Sequence, residues 1–178
     1  AVGQGVRNVH LLAVAPNASS SIICGNTSPS IEPYRANAFT QKTKSGSSLL
    51  KNEYLEHILQ ELEEDTDEVW KSIITNNGSV QHLEFLDDWT KDVFKTAVEI
   101  DQRWIIEMAA DRQKEICQSQ SLNIFFPANV SKQELHAIHM MAWKKKVKTL
   151  YYLRSEAIKR AETVSDEALR QYIFESMD

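Results

Sequence analysis

Between residue 51 and about residue 118 apolar positions recur at helical spacing, while short unbroken apolar runs punctuate the chain on either side. That contrast predicts a helical block set between strands. The first run, VHLLAVA at 9–15, is rich in branched residues and predicts a buried strand stopped by Pro16. NASSSIICG follows: Asn17 and the serines are N-cap types, Ile22 and Ile23 open a helical turn, and Gly25 can close it. ANAFTQKT (36–43) predicts a second strand and KSGSSL (44–49) a surface turn. Inside the helical block, NEYLEHILQELEED sets Tyr54, Leu55, Ile58, Leu59 and Leu62 on one stripe. TDEVWKSIITNNG opens with Thr66 as a cap and closes on Asn77-Gly78, a helix stop. A longer helical stretch covers about 87–116, with a break near Asp101.

SLNIFF (121–126), ended by Pro127, predicts another strand. Ser131 and Glu134 then have capping-box spacing, ahead of a helix with Leu135, Ile138 and Ala142 on its apolar face. KTLYYLR (148–154) predicts a further strand, and SDEALRQYIFESM a last helix starting at Ser165. Strand, helical block, strand, helix, strand predicts an α/β arrangement with parallel strands.

The totals narrow the function. With 178 residues, 42% of them hydrophobic, the chain can bury a sizeable core. A net charge of -5 argues against a dedicated nucleic-acid binder, so DNA is not an expected partner. No apolar run is long enough to span a membrane. The opening AVGQGVRNVH has neither an initiator Met nor a basic-then-apolar leader, and is not expected to be a signal peptide. Cys24 and Cys117 stand far apart, outside any CxxC spacing, which excludes a zinc ribbon or disulfide scaffold and suits a reducing cytoplasm.

Five features bear on chemistry. The strand–PNASSS–helix junction could seat a phosphate, because N–H groups at a helix start point outward unsatisfied and Ala18, Ser19, Ser20 and Ser21 are small. Spacing alone favours ordinary capping, and no P-loop pattern is present. Tyr151 and Tyr152 stand in direct succession, although neighbours on a strand point to opposite faces. Phenols can be oxidised with loss of a proton, so a touching pair could hand on a hole; strand packing is the plainer reading. His136 and His139 lie one helical turn apart without further clustered ligands, so no metal site is expected. Lys144, Lys145, Lys146 and Lys148 suit a solvated helix end, and neither cysteine has basic neighbours in sequence that would mark a nucleophile.

Taken together, RNVHLLAVAPNASSSI, IEPYRANAF, QSQSLNIFF and VKTLYYLR, in that order and spacing, resemble the C-terminal part of the large subunit of class I ribonucleotide reductase. The likeness is clear over 7–43 and 113–154 and looser over 44–112. It implies that Pro16, Asn17, Ala18, Ser19 and Ser20 hold the phosphates of a ribonucleoside diphosphate, and that Tyr151 and Tyr152 relay a radical from the small subunit. The implied fold is the closing part of a ten-stranded α/β barrel. Residues 1–154 would carry that barrel portion, with a helical insertion at about 50–118, and 155–178 a C-terminal tail helix.

The implied function is radical-based reduction of ribonucleotides to deoxyribonucleotides for DNA synthesis. The implied partners are the small subunit, the rest of the large subunit (covalent or split) and its homodimer. No cofactor is expected in this segment: a metal generates the radical on the small subunit, nucleotide effectors bind upstream, and a thioredoxin or glutaredoxin type protein is the reductant. The family's thiyl cysteine, its reducing cysteine pair and its allosteric domain have no match here, and Cys24 and Cys117 fall at neither catalytic position. The expectation is therefore a piece of a reductase, inactive alone. The alternative is a non-catalytic nucleotide-binding or assembly module without a radical path.

Overall fold

Two apolar clusters organise the chain, and each collects buried faces that the hydrophobic spacing marks out. The computed structural model of the protein describes residues 3, 5, 7–25, 28–43 and 46–155. The helix expected from Ser165 and the proposed tail at 156–178 lie outside them. The first cluster joins Ala38, Leu55, Leu59, Trp70, Ile73, Val80, Leu83, Leu86 and Phe94. The second joins Ile106, Ala109, Leu122, Ile124, Phe126, Ile138 and Ala142.

A short helix, α1 (Ala18–Ile23), follows Pro16. Next comes an antiparallel hairpin of β1 (Ala38–Thr43) and β2 (Gly46–Lys51), with Ala38 opposite Lys51 and Thr43 opposite Gly46. This corrects the reading of 44–49 as a turn, since Gly46 to Leu49 belong to a strand. Pairing with β1 overrides the weak strand preference of Gly and Ser. It also corrects the all-parallel expectation.

Helix α2 (Glu53–Glu61) buries Leu55 and Leu59, but Tyr54 and Leu62 at the edges of its stripe are exposed. Helix α3 (Asp67–Thr75) is capped by Thr66, whose hydroxyl accepts the Val69 N–H at 3.3 Å, and buries Trp70 and Ile73. The helical stretch expected over 87–116 with a break near Asp101 is two helices, α4 (Asp88–Val93) and α5 (Gln102–Gln113), the second starting directly after Asp101. Between them Phe94 and Ala97 are drawn into the interior, and Ala97 N–H donates to Tyr34 O at 2.7 Å. Asp101 is the cap of α5, its carboxylate accepting the Arg103 N–H at 3.0 Å.

Strand β3 (Ile124–Phe126) pairs in parallel with β4 (Leu153–Ser155), Ile124 opposite Leu153. Helix α6 (Lys132–Lys144) joins them, and its expected cap is present: Ser131 Oγ accepts the Glu134 N–H at 3.0 Å. Tyr151 and Tyr152 therefore precede the strand that was expected to carry them. The expected strand at 9–15 reduces to one parallel bridge, Val14 with Gln120, flanked by Val14 N–H to Ser119 O and Ser121 N–H to Val14 O. It is not buried, for Val9 is 80% and Leu11 73% exposed. Parallel strands and a strand–helix–strand unit are present, but no closed barrel forms among the described residues.

Buried amides tie the hairpin to the helices. Asn37 Nδ2 donates to Gly78 O at 3.0 Å and Phe94 O at 2.8 Å, while its Oδ1 accepts from Asn52 Nδ2 at 3.0 Å. Gly78 must come this close: its φ is +81°, and a Cβ there would lie 2.2 Å from Ala36 Cβ. The left-handed conformation costs an L-residue about 1–2 kcal/mol, and overpacking about 1–3 more. Gly78→Ala should therefore lower the unfolding free energy by at least about 2 kcal/mol in urea titrations.

Candidate functional site

The Tyr151–Tyr152 dipeptide is pinned to the stretch 122–124 through its backbone. Tyr151 N–H donates to Leu122 O at 2.8 Å, Tyr152 N–H to Asn123 Oδ1 at 3.0 Å, and Ile124 N–H to Tyr152 O at 3.0 Å. Because the dipeptide lies ahead of the regular ladder, its side chains do not alternate. The rings sit together, centroids 4.0 Å apart and planes at 46°, and the Tyr151 hydroxyl donates to the Tyr152 hydroxyl at 3.1 Å. That bond and the neighbouring phenol hold the Tyr151 pKa above its ordinary value. Both rings are half exposed.

The pair forms one wall of a cleft of about 220 Å³, shared with Pro16, Ser30, Glu32, Arg35, Asn123 and Arg154. Of the loop residues singled out in sequence, the structure brings Pro16 to this cleft. Asn17 precedes α1 but its side chain makes no cap bond, contrary to its N-cap composition. Ser20 is exposed in α1.

Opposite the phenols lies a charged group that sequence reading did not single out. Glu32 is 6% exposed, and its carboxylate accepts from Asn123 Nδ2. Burial raises its pKa, against the lowering pull of Arg35, Arg154 and the Asn123 bond. The Arg154 guanidinium lies 5.0 Å from the Tyr152 ring centroid, and that of Arg35 lies 5.8 Å from the Phe125 centroid. Arg154 Nε is buried with no hydrogen-bond partner among the described residues. The sequence signal available was adjacency, since Arg154 stands two residues beyond the tyrosine pair and Glu32 is the second residue of the IEPYR motif.

The remaining candidates lie elsewhere. His139 Nδ1 is engaged with Leu135 O of its own helix at 2.7 Å. Among the described residues no three His, Cys, Asp or Glu side chains gather as metal ligands. The lysine run is less free than a solvated end: Lys145 pairs with Glu107, and Lys148 Nζ donates to the carbonyls of Ile116, Cys117 and Gln118. Cys117 is exposed, and its Sγ accepts the Leu11 and Leu12 N–H groups at 3.0 and 3.1 Å, which lowers its pKa. These donors are backbone groups and not the basic neighbours looked for in sequence, and that of Leu12 comes from 105 residues away in the chain.

A family model described as "Ribonucleotide reductase, barrel domain" matches residues 1–153, which takes in both the cleft and the tyrosine pair. The chain belongs to the ribonucleotide reductase barrel-domain family. Among similar proteins, the ribonucleoside-diphosphate reductase large subunit of Invertebrate iridescent virus 6 is 56% identical over 169 residues, covering 93% of this chain and 18% of the viral protein. A putative ribonucleoside-diphosphate reductase large subunit of Frog virus 3 is 52% identical over 153 residues, covering 86% and 27%. The solved Actinobacillus ureae class Id ribonucleotide reductase alpha subunit superposes with a TM-score of 0.78 at 43% identity, covering 87% of this chain and 28% of that one. The match is to a C-terminal segment of these large subunits, and the chain spans only about a fifth to a quarter of the relatives' length. Among the described residues no helix of this reductase-family chain is long and apolar enough to cross a membrane.

The hydroxyl contact gives a direct check on the site. By ultraviolet or NMR titration Tyr151 should ionise above the ordinary phenol value of 10.0, and Tyr152→Phe should bring it down towards that value by removing both the acceptor and the neighbouring phenolate. An unchanged titration in Tyr152→Phe would mean the two hydroxyls do not meet in solution.

Proposed function

We propose that this chain is the part of a ribonucleoside-diphosphate reductase large subunit that carries the tyrosine relay and one side of the substrate site. The observation that carries the proposal is the pair of phenol oxygens 3.1 Å apart, on the YY motif of a chain in this family. Oxidising a phenol to a neutral tyrosyl removes one electron and the O–H proton. At this separation the neighbouring phenol can give its hydrogen to the tyrosyl oxygen: one O–H bond breaks, the other forms, and the hole moves on by one residue. Neither oxygen need travel, because the backbone of both residues is already tied to 122–124.

Pro16, Asn17, Ala18, Ser19 and Ser20 would seat the diphosphate, which orients the ribose without breaking a bond. Pro16 in the wall of the cleft that holds the tyrosines supports this placement of substrate beside relay. The complete enzyme would replace the ribose 2′-OH by hydrogen, in the cytoplasm. It would use a radical generated by a metal on the small subunit, effectors bound elsewhere on the large subunit, and a thioredoxin or glutaredoxin type reductant. Residues 1–154 would close a ten-stranded barrel whose remaining strands, and whose catalytic cysteines, lie elsewhere on the large subunit or a split partner.

The test is ribonucleoside-diphosphate reduction by the complete large subunit assembled with its small subunit. Phe retains the ring and nearly all the packing but has no oxidisable O–H. Tyr151→Phe and Tyr152→Phe should each abolish turnover, with circular dichroism and small-subunit binding unchanged. Persisting turnover would make the tyrosines packing residues. A native assembly that binds diphosphate but forms no product would favour a non-catalytic nucleotide-binding module.

A further inference from the structure

We infer that Glu32 is a positioning residue for the tyrosine pair, acting through the orientation of the Asn123 carboxamide; the inference rests on the relay reading above. A carboxamide has one accepting end and one donating end of nearly the same shape. Only the accepting end can hold the Tyr152 N–H, which it does at 3.0 Å. The donating end is turned to Glu32. An ionised carboxylate only accepts, so a flipped amide would set oxygen against oxygen at Glu32 and donor against donor at Tyr152. Glu32 thereby selects the one orientation that anchors the tyrosine backbone.

The carboxylate is held where it is costly to keep. Glu32 is buried, facing Arg35 and Arg154, with Asn123 donating to it and Tyr151 and Tyr152 across the same cleft. Its pKa is raised by burial, despite the two guanidinium groups. For a carboxyl whose folded pKa lies above its unfolded one, the stability contribution is present at low pH and is lost as pH rises through the folded value. Burial thus makes the ionised form of Glu32 a cost to the fold and not a contribution to it. A glutamine of the same shape would fill the space without that charge, but it could offer Asn123 a donor as readily as an acceptor. Positioning and space-filling roles thus predict different outcomes for the same substitution.

The experiment compares Glu32→Gln, Asn123→Asp and the double exchange in the complete large subunit assembled with its small subunit. In the double exchange the amide at 32 donates to the carboxylate at 123, whose second oxygen accepts the Tyr152 N–H. The clamp is rebuilt with its polarity reversed. Each single exchange should lower kcat on the order of 10- to 100-fold, the scale of a small misplacement of reacting groups, with KM for the diphosphate unchanged. The double exchange should recover at least about tenfold of that loss, a non-additivity expected only of groups in contact. The melting temperature of Glu32→Gln should not fall below native.

Native kcat in Glu32→Gln would overturn the inference. So would a lowered melting temperature with no recovery in the double exchange, which assigns Glu32 to maintaining the fold. Tyr151→Phe and Tyr152→Phe run alongside separate the two layers. If they retain turnover, the relay reading falls and this inference with it. If they abolish turnover while Glu32→Gln keeps native kcat, only the Glu32 inference falls.

Discussion

Polar groups that leave water must find partners, and in this chain side-chain amides supply the partners that a sheet would otherwise provide. β3 and β4 pair over three residues, too few to fix much by backbone ladder alone. Asn123 extends the pairing by accepting the Tyr152 N–H. Gln102 does the same on the other side: its Oε1 accepts the Phe125 N–H at 2.8 Å, while its Nε2 reaches Ala97 O and Ile100 O. Gln120 ties the strand's approach to α5 through Ala109 O at 2.8 Å. Each such bond adds about 0.5–1.5 kcal/mol net, but a buried group left without its partner costs about 1–3 kcal/mol. Their main effect is to make wrong registers expensive, and the position of the phenols follows from that register.

The surface these ties leave behind is not that of a closed domain. β3 is buried along its whole length, as a strand covered on both faces should be. β4 beside it is exposed at Leu153 and Ser155. Val9, Leu11 and Leu12 run exposed beside 118–121, and Trp104 and Met108 stand out from α5. The apolar run that looked like a buried strand in sequence is thus exposed among the described residues, held to them by the backbone bonds of Leu12 and Val14.

Features that depend on two or three neighbouring residues were legible in the sequence. Thr66, Ser131 and Asn77-Gly78 each act within one turn, so composition and spacing suffice. Features that depend on distant partners were not. Gly46 to Leu49 looked like a turn until β1 lay beside it. The break before α5 was legible at Asp101, but the early end of α4 follows from burial of Phe94 and Ala97, which no local signal marks. In the site, the tyrosine pair was legible as a motif, but strand alternation implied opposed rings. Their actual contact arises because the ladder begins one residue later. Glu32 and Asn123 stand 91 residues apart in the chain, and nothing in either segment announces the other.

The electrostatics around the phenols bear on how a hole could move through them. Tyr151 is held protonated more firmly than an ordinary phenol, so it does not become an easily oxidised phenolate near neutral pH. Removing an electron alone would leave a positive ring, and the Arg154 guanidinium over Tyr152 opposes a second positive charge there. Both routes that separate electron from proton are thus disfavoured, one by the pKa and the other by the nearby cation. Transfer of the two together between oxygens 3.1 Å apart creates no net charge at either ring and escapes both penalties. A hop between the two phenols would need no group beyond the pair itself. To pass a hole in or out, each end of the pair would need a hydrogen donor or acceptor other than the two phenols, and both residues are half exposed.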